Sequence, residues 1–376
     1  MDTFQATMLG LMLILPLGWC TRFAGKRIHL PAALSLMILG MLLGPEIADL
    51  IPEDYFSVSG TLSKMAFVIL LVRAGIGLTP RMVKKYLIPT FYLGIIPLLI
   101  EGAVLAFVGK QYLFQTWPLA FLFASILMCE SPAIIFPTML KVRHKKLGSN
   151  KEIPNKIMVK TLGNILIAQT AILFFIDSIV LEPEQSNSLW FYYLFPINIC
   201  LGVVLSFLLA KVIPWQKIAE TNIPFKDESM AAILLTTAAL SYFGLGQFKI
   251  ENIVATVFIG IFAFQAIQQL KDNIDKSLFK VWSVFEIILF CNLGAHIRLD
   301  TILAGNSLIT VLGILLLAHA SRQLILYAML KSSHYDNAES VYIGFAHIPK
   351  ATMQAVFGAL PLMAFENAGL TELIPA

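Results

Sequence analysis

The sequence predicts an all-α polytopic membrane protein, and three observations carry that prediction. Hydrophobic residues make up 58% of the 376-residue chain and charged residues only 13%, whereas soluble domains are about one quarter charged. Apolar runs near the roughly 20 residues that a bilayer requires recur from end to end. The loops between them differ in charge, because basic residues are concentrated in every second loop.

Twelve spans are predicted in chain order. Basic loops separate each odd-numbered span from the next one, and the second span is bounded by Pro31 and Pro45. The predicted spans are 6–22, 30–50, 60–79, 86–109, 114–140, 157–181, 190–212, 229–247, 251–269, 281–297, 302–330 and 339–363.

The loop charges also predict the orientation. Lys and Arg cluster after the odd-numbered spans, as in Arg81, Lys84 and Lys85 after the third span. By the positive-inside rule those loops are cytoplasmic, which places the N-terminus outside. The net charge of +4 reflects this asymmetry, so we expect lipid on the outer surface and no nucleic-acid partner.

Two spans, the fifth and the twelfth, are interrupted by proline and polar residues. Proline removes a backbone donor, and lipid cannot satisfy the carbonyls that are left free, so such breaks persist where they are buried or line a watery cavity. Paired breaks in two halves of a chain point to a transporter binding site. The residues concerned are Glu130, Ser131, Pro132 and Pro137 in the fifth span, and His347, Pro349, Lys350 and Thr352 in the twelfth.

Eight charged residues lie within the spans, and each costs roughly 2.5–3.5 kcal/mol at the bilayer centre unless it is paired. Arg322 is expected to form a core ion pair with Glu101 or Glu286, and Arg73 to form a similar pair. Lys160 and Asp177 lie near opposite ends of the sixth span and are expected to snorkel. The set is Arg73, Lys160, Arg322, Lys350, Glu101, Glu130, Asp177 and Glu286.

Several strings in the chain resemble the NHA-type sodium/proton exchangers of the monovalent cation:proton antiporter superfamily. They are Arg73-Ala-Gly-Ile-Gly-Leu78, Ser131-Pro132-Ala133, Arg322 and Pro349-Lys350-Ala351-Thr352-Met353-Gln354. The resemblance implies an inverted-repeat antiporter fold with two discontinuous helices, of whose usual 13 spans about 12 are present. Residues 366–376 resemble the loop before the thirteenth.

The resemblance further implies a core domain that moves against a dimerisation domain in a homodimer. The core would comprise about 60–181 and 281–363, and the dimerisation domain about 6–50 and 190–269. It also implies exchange of a monovalent cation for protons, with Lys350 offsetting the helix dipoles that converge at the crossing.

The sequence departs from the family at the acidic pair of the sixth span. Asn164 and Ile165 occupy those positions, and neither titrates. Glu130 is the candidate replacement carboxylate, against the alternative of a fixed salt bridge to Lys160 or Lys350. Ser131 and Thr352 are candidate hydroxyl ligands that also serve the broken backbone, and His347 is a candidate proton carrier or a neutral core histidine.

The function that fits best is secondary active exchange of Na⁺, K⁺ or Li⁺ for protons by alternating access, in a bacterial inner membrane. Uncoupled ion passage is one alternative, and a non-transporting regulatory relative is another. The chain carries no enzyme or ATP-binding signature, and we expect no enzymatic activity, no cofactor and no metal other than the transported cation.

Overall fold

The computed structural model describes residues 2–180, 190–221, 225–247, 252–266, 270–297, 307–358, 361, 364–365 and 368–370. These residues form helices and connecting segments, without a β-strand among them. The first seven helices are α1 (Thr3–Arg27), α2 (Ala32–Leu43), α3 (Glu53–Gly77), α4 (Pro80–Tyr112), α5 (Trp117–Met128), α6 (Pro132–His144) and α7 (Ile153–Val180). The remaining helices are α8 (Trp190–Val212), α9 (Trp215–Glu220), α10 (Lys226–Gln247), α11 (Asn252–Ala266), α12 (Lys271–Ala295), α13 (Ser307–Lys331), α14 (Asn337–Phe345) and α15 (Thr352–Phe357).

The predicted fold class is confirmed. A described helix overlaps each predicted span, and the fifth and twelfth spans each overlap a pair of helices separated by a break. Among the described residues, seven helices are long and apolar enough to cross a membrane, and four shorter apolar helices accompany them. The protein is therefore a multi-pass membrane protein.

Local sequence explains where several helices begin. Pro80 follows Thr79, whose side-chain oxygen accepts a hydrogen bond from the Met82 amide at 3.2 Å, so that α4 starts with a capped first turn. Asp336 and Glu339 form a reciprocal capping box that starts α14. Proline also begins α6, at Pro132.

The second half of α3 is buried throughout. Residues Ala66 to Gly77 of this helix are all buried, as is Leu78 after it, and the helix packs against α11, α12 and α1. In a second group of helices, α5, α7 and α13 pack around α4. The two broken helices lie between these groups, because α6 contacts α3 and α7 while α15 contacts α3, α5 and α6.

Two sequence expectations differ from the structure. Pro137 does not break the chain, because α6 continues through it; its φ is already helical and only one backbone bond is lost, as membrane helices tolerate. The segment before the tenth span is helical as well, since α12 begins at Lys271 rather than near 281. Parts of the ninth, eleventh and twelfth spans, and most of residues 366–376, lie outside the described residues.

Candidate functional site

The two breaks meet at one point in the protein. The segment Cys129–Ser131 separates α5 from α6, and residues 346–351 separate α14 from α15. The backbone amide of Ser131 donates a hydrogen bond of 2.8 Å to the carbonyl of Pro349. This bond joins the two interrupted helices directly and satisfies two groups that a continuous helix would have paired internally.

The free carbonyls at the end of α5 are satisfied by side chains from the second break. Lys350 Nζ donates to the carbonyls of Leu127 at 2.6 Å and Met128 at 3.2 Å. Gln354 Nε2 donates to the carbonyls of Ile126 and Cys129, both at 2.9 Å. A cation at a helix C-terminus opposes the negative end of the helix dipole, which is the position that the sequence predicted for Lys350.

Glu130 lies in the first break, and its side chain is completely buried. Lys160 Nζ donates to both carboxylate oxygens, at 2.7 and 2.8 Å. Arg322 Nη2 donates to Oε1 as well. Asn164 Nδ2 lies 3.1 Å from Oε1, and Thr161 Oγ1 lies 3.2 Å from Oε2. The carboxylate is thus held by two cations and two polar side chains, so it is not an open ligand in this conformation.

A second buried carboxylate extends the cluster. Arg322 Nη1 donates to Glu101 Oε2 at 2.5 Å and to the Met128 carbonyl at 3.0 Å. Lys350 Nζ lies 3.1 Å from Glu101 Oε1, and His319 Nδ1 lies 3.6 Å from the same oxygen. Arg322 therefore bridges Glu101 on α4 and Glu130 in the break.

The ionised groups of this cluster do not balance. Glu101 and Glu130 contribute two negative charges, whereas Lys160, Arg322 and Lys350 contribute three positive charges. A buried charge without a partner is expensive. One of the three cations is therefore the group whose charge is most easily given up or exchanged. Among the described contacts, Arg322 pairs with both carboxylates and Lys350 with Glu101, whereas Lys160 pairs only with Glu130.

His347 is fully buried beside this carboxylate. Its Nδ1 lies 2.6 Å from the Ile343 carbonyl, which can only accept, so Nδ1 carries the proton. Its Nε2 lies 3.9 Å from Glu130 Oε1 and has no hydrogen-bond partner among the described residues. A neutral His347 thus presents a free lone pair to the centre of the cluster.

A narrow cavity of about 20 Å³ approaches the cluster from the loops that are predicted to be cytoplasmic. It begins at Lys156 and Tyr335, whose Nζ and hydroxyl lie 2.9 Å apart, and reaches Lys160 and His347. Its volume suits about one water molecule.

Two of the predicted site residues lie outside this cluster. Arg73 Nε pairs with Asp275 Oδ1 at 3.1 Å, which agrees with a core ion pair. Glu286 does not pair with Arg322; its carboxylate lies 3.2 Å from Arg22 of α1. Of the two partners expected for Arg322, Glu101 is the one found. Glu286 lies on α12, which packs on α1, α2 and α3.

The structure also corrects the expectation for Lys160. Its side chain does not snorkel but is buried, with its ammonium on Glu130. The sequence contained a signal for this position, since Lys160 precedes Asn164 by four residues and shares its helix face. The backbone of Thr352 begins α15, but its side chain lies outside the described part of the chain.

Comparison with known proteins identifies the family. The family model described as "Sodium/hydrogen exchanger, transmembrane" matches residues 10–374. The chain belongs to the sodium/hydrogen exchanger family.

Curated members and a solved structure resemble this exchanger-family chain over most of its length. It is 26% identical over 344 residues to Sodium/hydrogen exchanger 9B1 of Macaca fascicularis. The matched region covers 86% of this chain and 64% of the relative. It is 24% identical over 381 residues to Sodium/hydrogen exchanger 9B2 of Homo sapiens, covering 96% and 68%. The chain therefore spans about two thirds of the length of these relatives.

The fold resembles that of a solved sodium proton antiporter. The structure of MjNhaP1 from Methanocaldococcus jannaschii matches with a TM-score of 0.74 at 19% identity, over 99% of this chain and 91% of the other. This likeness establishes the antiporter fold for the exchanger-family chain.

Proposed function

We propose that the protein exchanges a monovalent cation (Na⁺, K⁺ or Li⁺) for protons by alternating access, as a secondary carrier and not as an enzyme. The observation that carries the proposal is the Lys160–Glu130 pair at the contact between the two broken helices. A buried carboxylate inside a membrane is a functional group by default, and here an ammonium group already occupies the position that a cation would take. Family membership supports the same reaction class.

In the proposed cycle the ammonium of Lys160 and the transported cation compete for Glu130. An entering cation binds the carboxylate, and Lys160 loses a proton from Nζ to water in the narrow cavity. In the reverse step Lys160 takes up a proton, binds Glu130 again and releases the cation. Glu130 remains ionised throughout, so Lys160 replaces the titrating acid that Asn164 and Ile165 cannot supply.

The other residues have supporting roles in this proposal. Arg322 and Glu101 form a fixed pair that orients Glu130, and Lys350 stabilises the end of α5. Ser131 and Thr352 lie at the starts of the two half-helices, where their hydroxyls are candidate cation ligands. Pro132 and Pro349 keep the backbone open at the crossing, and His347 accepts or relays the proton at the inner end of the cavity.

The proposal extends to the assembly and its place in the cell. We place the N-terminus outside and the basic loops in the cytoplasm of a bacterial inner membrane. The core domain comprises about 60–181 and 281–363 and moves against a dimerisation domain of about 6–50 and 190–269 in a homodimer. Hydrogen-deuterium exchange under a pH gradient tests this division, because the crossing should change protection while 6–50 does not.

One observation favours a second candidate function. Both oxygens of Glu130 are already bonded, and the buried Ile165 stands where the family has an acid. A non-transporting relative would use the same cluster purely as structural support. Uncoupled passage of an ion is a third possibility, which differs from exchange in its independence of the pH gradient.

A flux assay in proteoliposomes distinguishes these functions. Exchange predicts cation uptake that is driven by a pH gradient and abolished by Glu130→Gln. The matched control is Glu152→Gln, since Glu152 is a half-exposed loop residue that pairs with Lys85. Uptake without dependence on the gradient would indicate uncoupled passage, and a silent but correctly folded wild type would indicate the non-transporting relative.

A further inference from the structure

The acceptor atoms around Glu130 favour a particular class of cation. Lys160 places a primary ammonium on both carboxylate oxygens. Two side chains beside this carboxylate each carry an acceptor without a partner among the described residues. They are Asn164 Oδ1, in the amide whose nitrogen donates to Glu130, and His347 Nε2, which lies 3.9 Å from Glu130 Oε1. Both residues are buried, and a buried acceptor without a hydrogen-bond partner is rare in proteins.

The chemistry of these acceptors discriminates among cations. Alkali cations are hard and prefer oxygen ligands, as other hard cations do, while imidazole nitrogen suits transition metals. A divalent metal is disfavoured because two protein cations, Lys160 and Arg322, already neutralise the Glu130 carboxylate. An N–H donor, by contrast, bonds equally well to a carboxylate oxygen, an amide oxygen and an imidazole lone pair.

We propose that the site selects ammonium-type cations, namely ammonium itself and small primary alkylammonium ions, over Na⁺, K⁺ and Li⁺. An ammonium ion has four N–H donors, and the cluster offers the two Glu130 oxygens, Asn164 Oδ1 and His347 Nε2 as acceptors. Such an ion reproduces the bonds of Lys160 and satisfies two acceptors that Lys160 leaves free. This inference rests on the proposed exchange for transport, but the binding preference stands independently of it.

The binding preference is tested by chemical rescue of Lys160→Ala. Removing the side chain leaves Glu130 without one cation and opens a space that Gly94 borders, because a Cβ at Gly94 would lie only 2.5 Å from Lys160 Cγ. The purified variant should unfold at a lower temperature than wild type. Methylammonium chloride should restore the unfolding temperature in a saturable manner, at concentrations about tenfold lower than NaCl, KCl or LiCl at equal ionic strength.

Two controls isolate the site. Lys85→Ala removes an exposed lysine that also pairs with a glutamate, and it should show no response to methylammonium beyond that of wild type. Lys160→Ala combined with Asn164→Leu should lose most of the selectivity, since one of the two free acceptors is gone. Equal rescue by Na⁺ and methylammonium, or a preference for methylammonium that is unchanged by the loss of Asn164, would overturn the proposal.

Uptake by wild-type proteoliposomes covers the case in which Lys160→Ala does not fold. Labelled Na⁺ should exchange between compartments of equal pH, with the competing cation equilibrated on both sides so that diffusion of ammonia creates no gradient. Ammonium should inhibit this exchange at concentrations about tenfold lower than K⁺ or Li⁺. Uptake of Na⁺ without competition by ammonium would overturn the selectivity but leave exchange intact. Rescue of the variant without any cation flux in wild type would support the binding site and contradict the proposed function.

Discussion

At the scale of single residues, the protein concentrates its buried charge at one carboxylate. Glu130 lies in the break between α5 and α6. Side chains from two helices, α7 and α13, donate hydrogen bonds to its carboxylate. In the low dielectric of a membrane protein, removing one member of such a network leaves another charge unpaired. The stability of the fold and the proposed function are therefore linked through the same atoms.

This linkage predicts the outcome of a double-mutant cycle on Glu130 and Lys160. Glu130→Gln leaves two cations facing a neutral amide and should destabilise the protein by about 3–5 kcal/mol. Lys160→Met alone should cost less, because Arg322 still bonds the carboxylate. The double variant should be more stable than Glu130→Gln, since the like-charged lysine is removed. Thermal unfolding in detergent measures the cycle, and additive effects of the two changes would show that the pair is not coupled.

Gly94 is predicted to position Lys160. A Cβ at this residue would lie 2.5 Å from Lys160 Cγ and 2.9 Å from Asn164 Oδ1. Gly94→Ala should therefore displace the lysine, reduce cation flux and destabilise the fold by about 1–3 kcal/mol. Gly163→Ala is the matched control, because a Cβ there meets nothing within 4 Å. If both variants transport at the wild-type rate, the position of the Lys160 side chain does not depend on the absence of a Cβ at residue 94.

At the scale of helices, close backbone contacts hold the bundle around α3. The helix α2 approaches α12 so closely that a Cβ at Gly40 would lie 2.0 Å from the Cys291 carbonyl oxygen. A Cβ at Gly294 would lie equally close to the Met37 carbonyl oxygen, so the contact is reciprocal. Small residues allow such approaches in membrane helices, where packing rather than the hydrophobic effect joins the helices.

The contact between α2 and α12 predicts a large effect of a single methyl group. Gly40→Ala should push the two backbones apart and lower the free energy of unfolding by about 1–3 kcal/mol. Gly313→Ala on α13 is a suitable control, since nothing lies within 4 Å of its Cβ position. The unfolding temperature and the monodispersity of the purified variants measure the effect. Equal unfolding temperatures for the two variants would mean that α2 can shift without loss.

At the scale of the whole molecule, the charge of the buried cluster constrains the stoichiometry. The cluster carries one net positive charge when Lys160 is protonated. It carries the same charge when Lys160 is neutral and a monovalent cation binds Glu130. Transport that preserves this charge exchanges one proton for one cation, and it moves no net charge across the membrane.

Cation flux should therefore be independent of the membrane potential. Moving one elementary charge across a potential of 100 mV changes its free energy by about 2.3 kcal/mol. The rate of a process that moves net charge would therefore depend strongly on the potential. Proteoliposomes with an imposed potential and a fixed pH gradient provide the measurement. A flux that rises or falls with the sign of the potential would contradict one-for-one exchange and point to a second proton.

The sequence by itself determined the fold class, the approximate positions of the described helices and both breaks. These features depend on local properties: apolar length decides which segments enter a bilayer, basic residues mark alternate loops, and Pro132 and Pro349 with their polar neighbours indicate open backbone. The same local information placed Glu130, Ser131, Lys350 and His347 at the breaks. It wrongly predicted a helix break at Pro137, because a proline alone does not show whether the surrounding helix can tolerate one lost hydrogen bond.

Only the tertiary structure decided which charges meet. Lys160 binds Glu130 because α7 crosses the break between α5 and α6, and no spacing in the sequence encodes that crossing. For the same reason Arg322 pairs with Glu101 and Glu130, whereas Glu286 pairs with Arg22. A charge in a membrane segment requires a partner, which the sequence reveals, but the identity of the partner depends on distances between helices that only the packed bundle fixes.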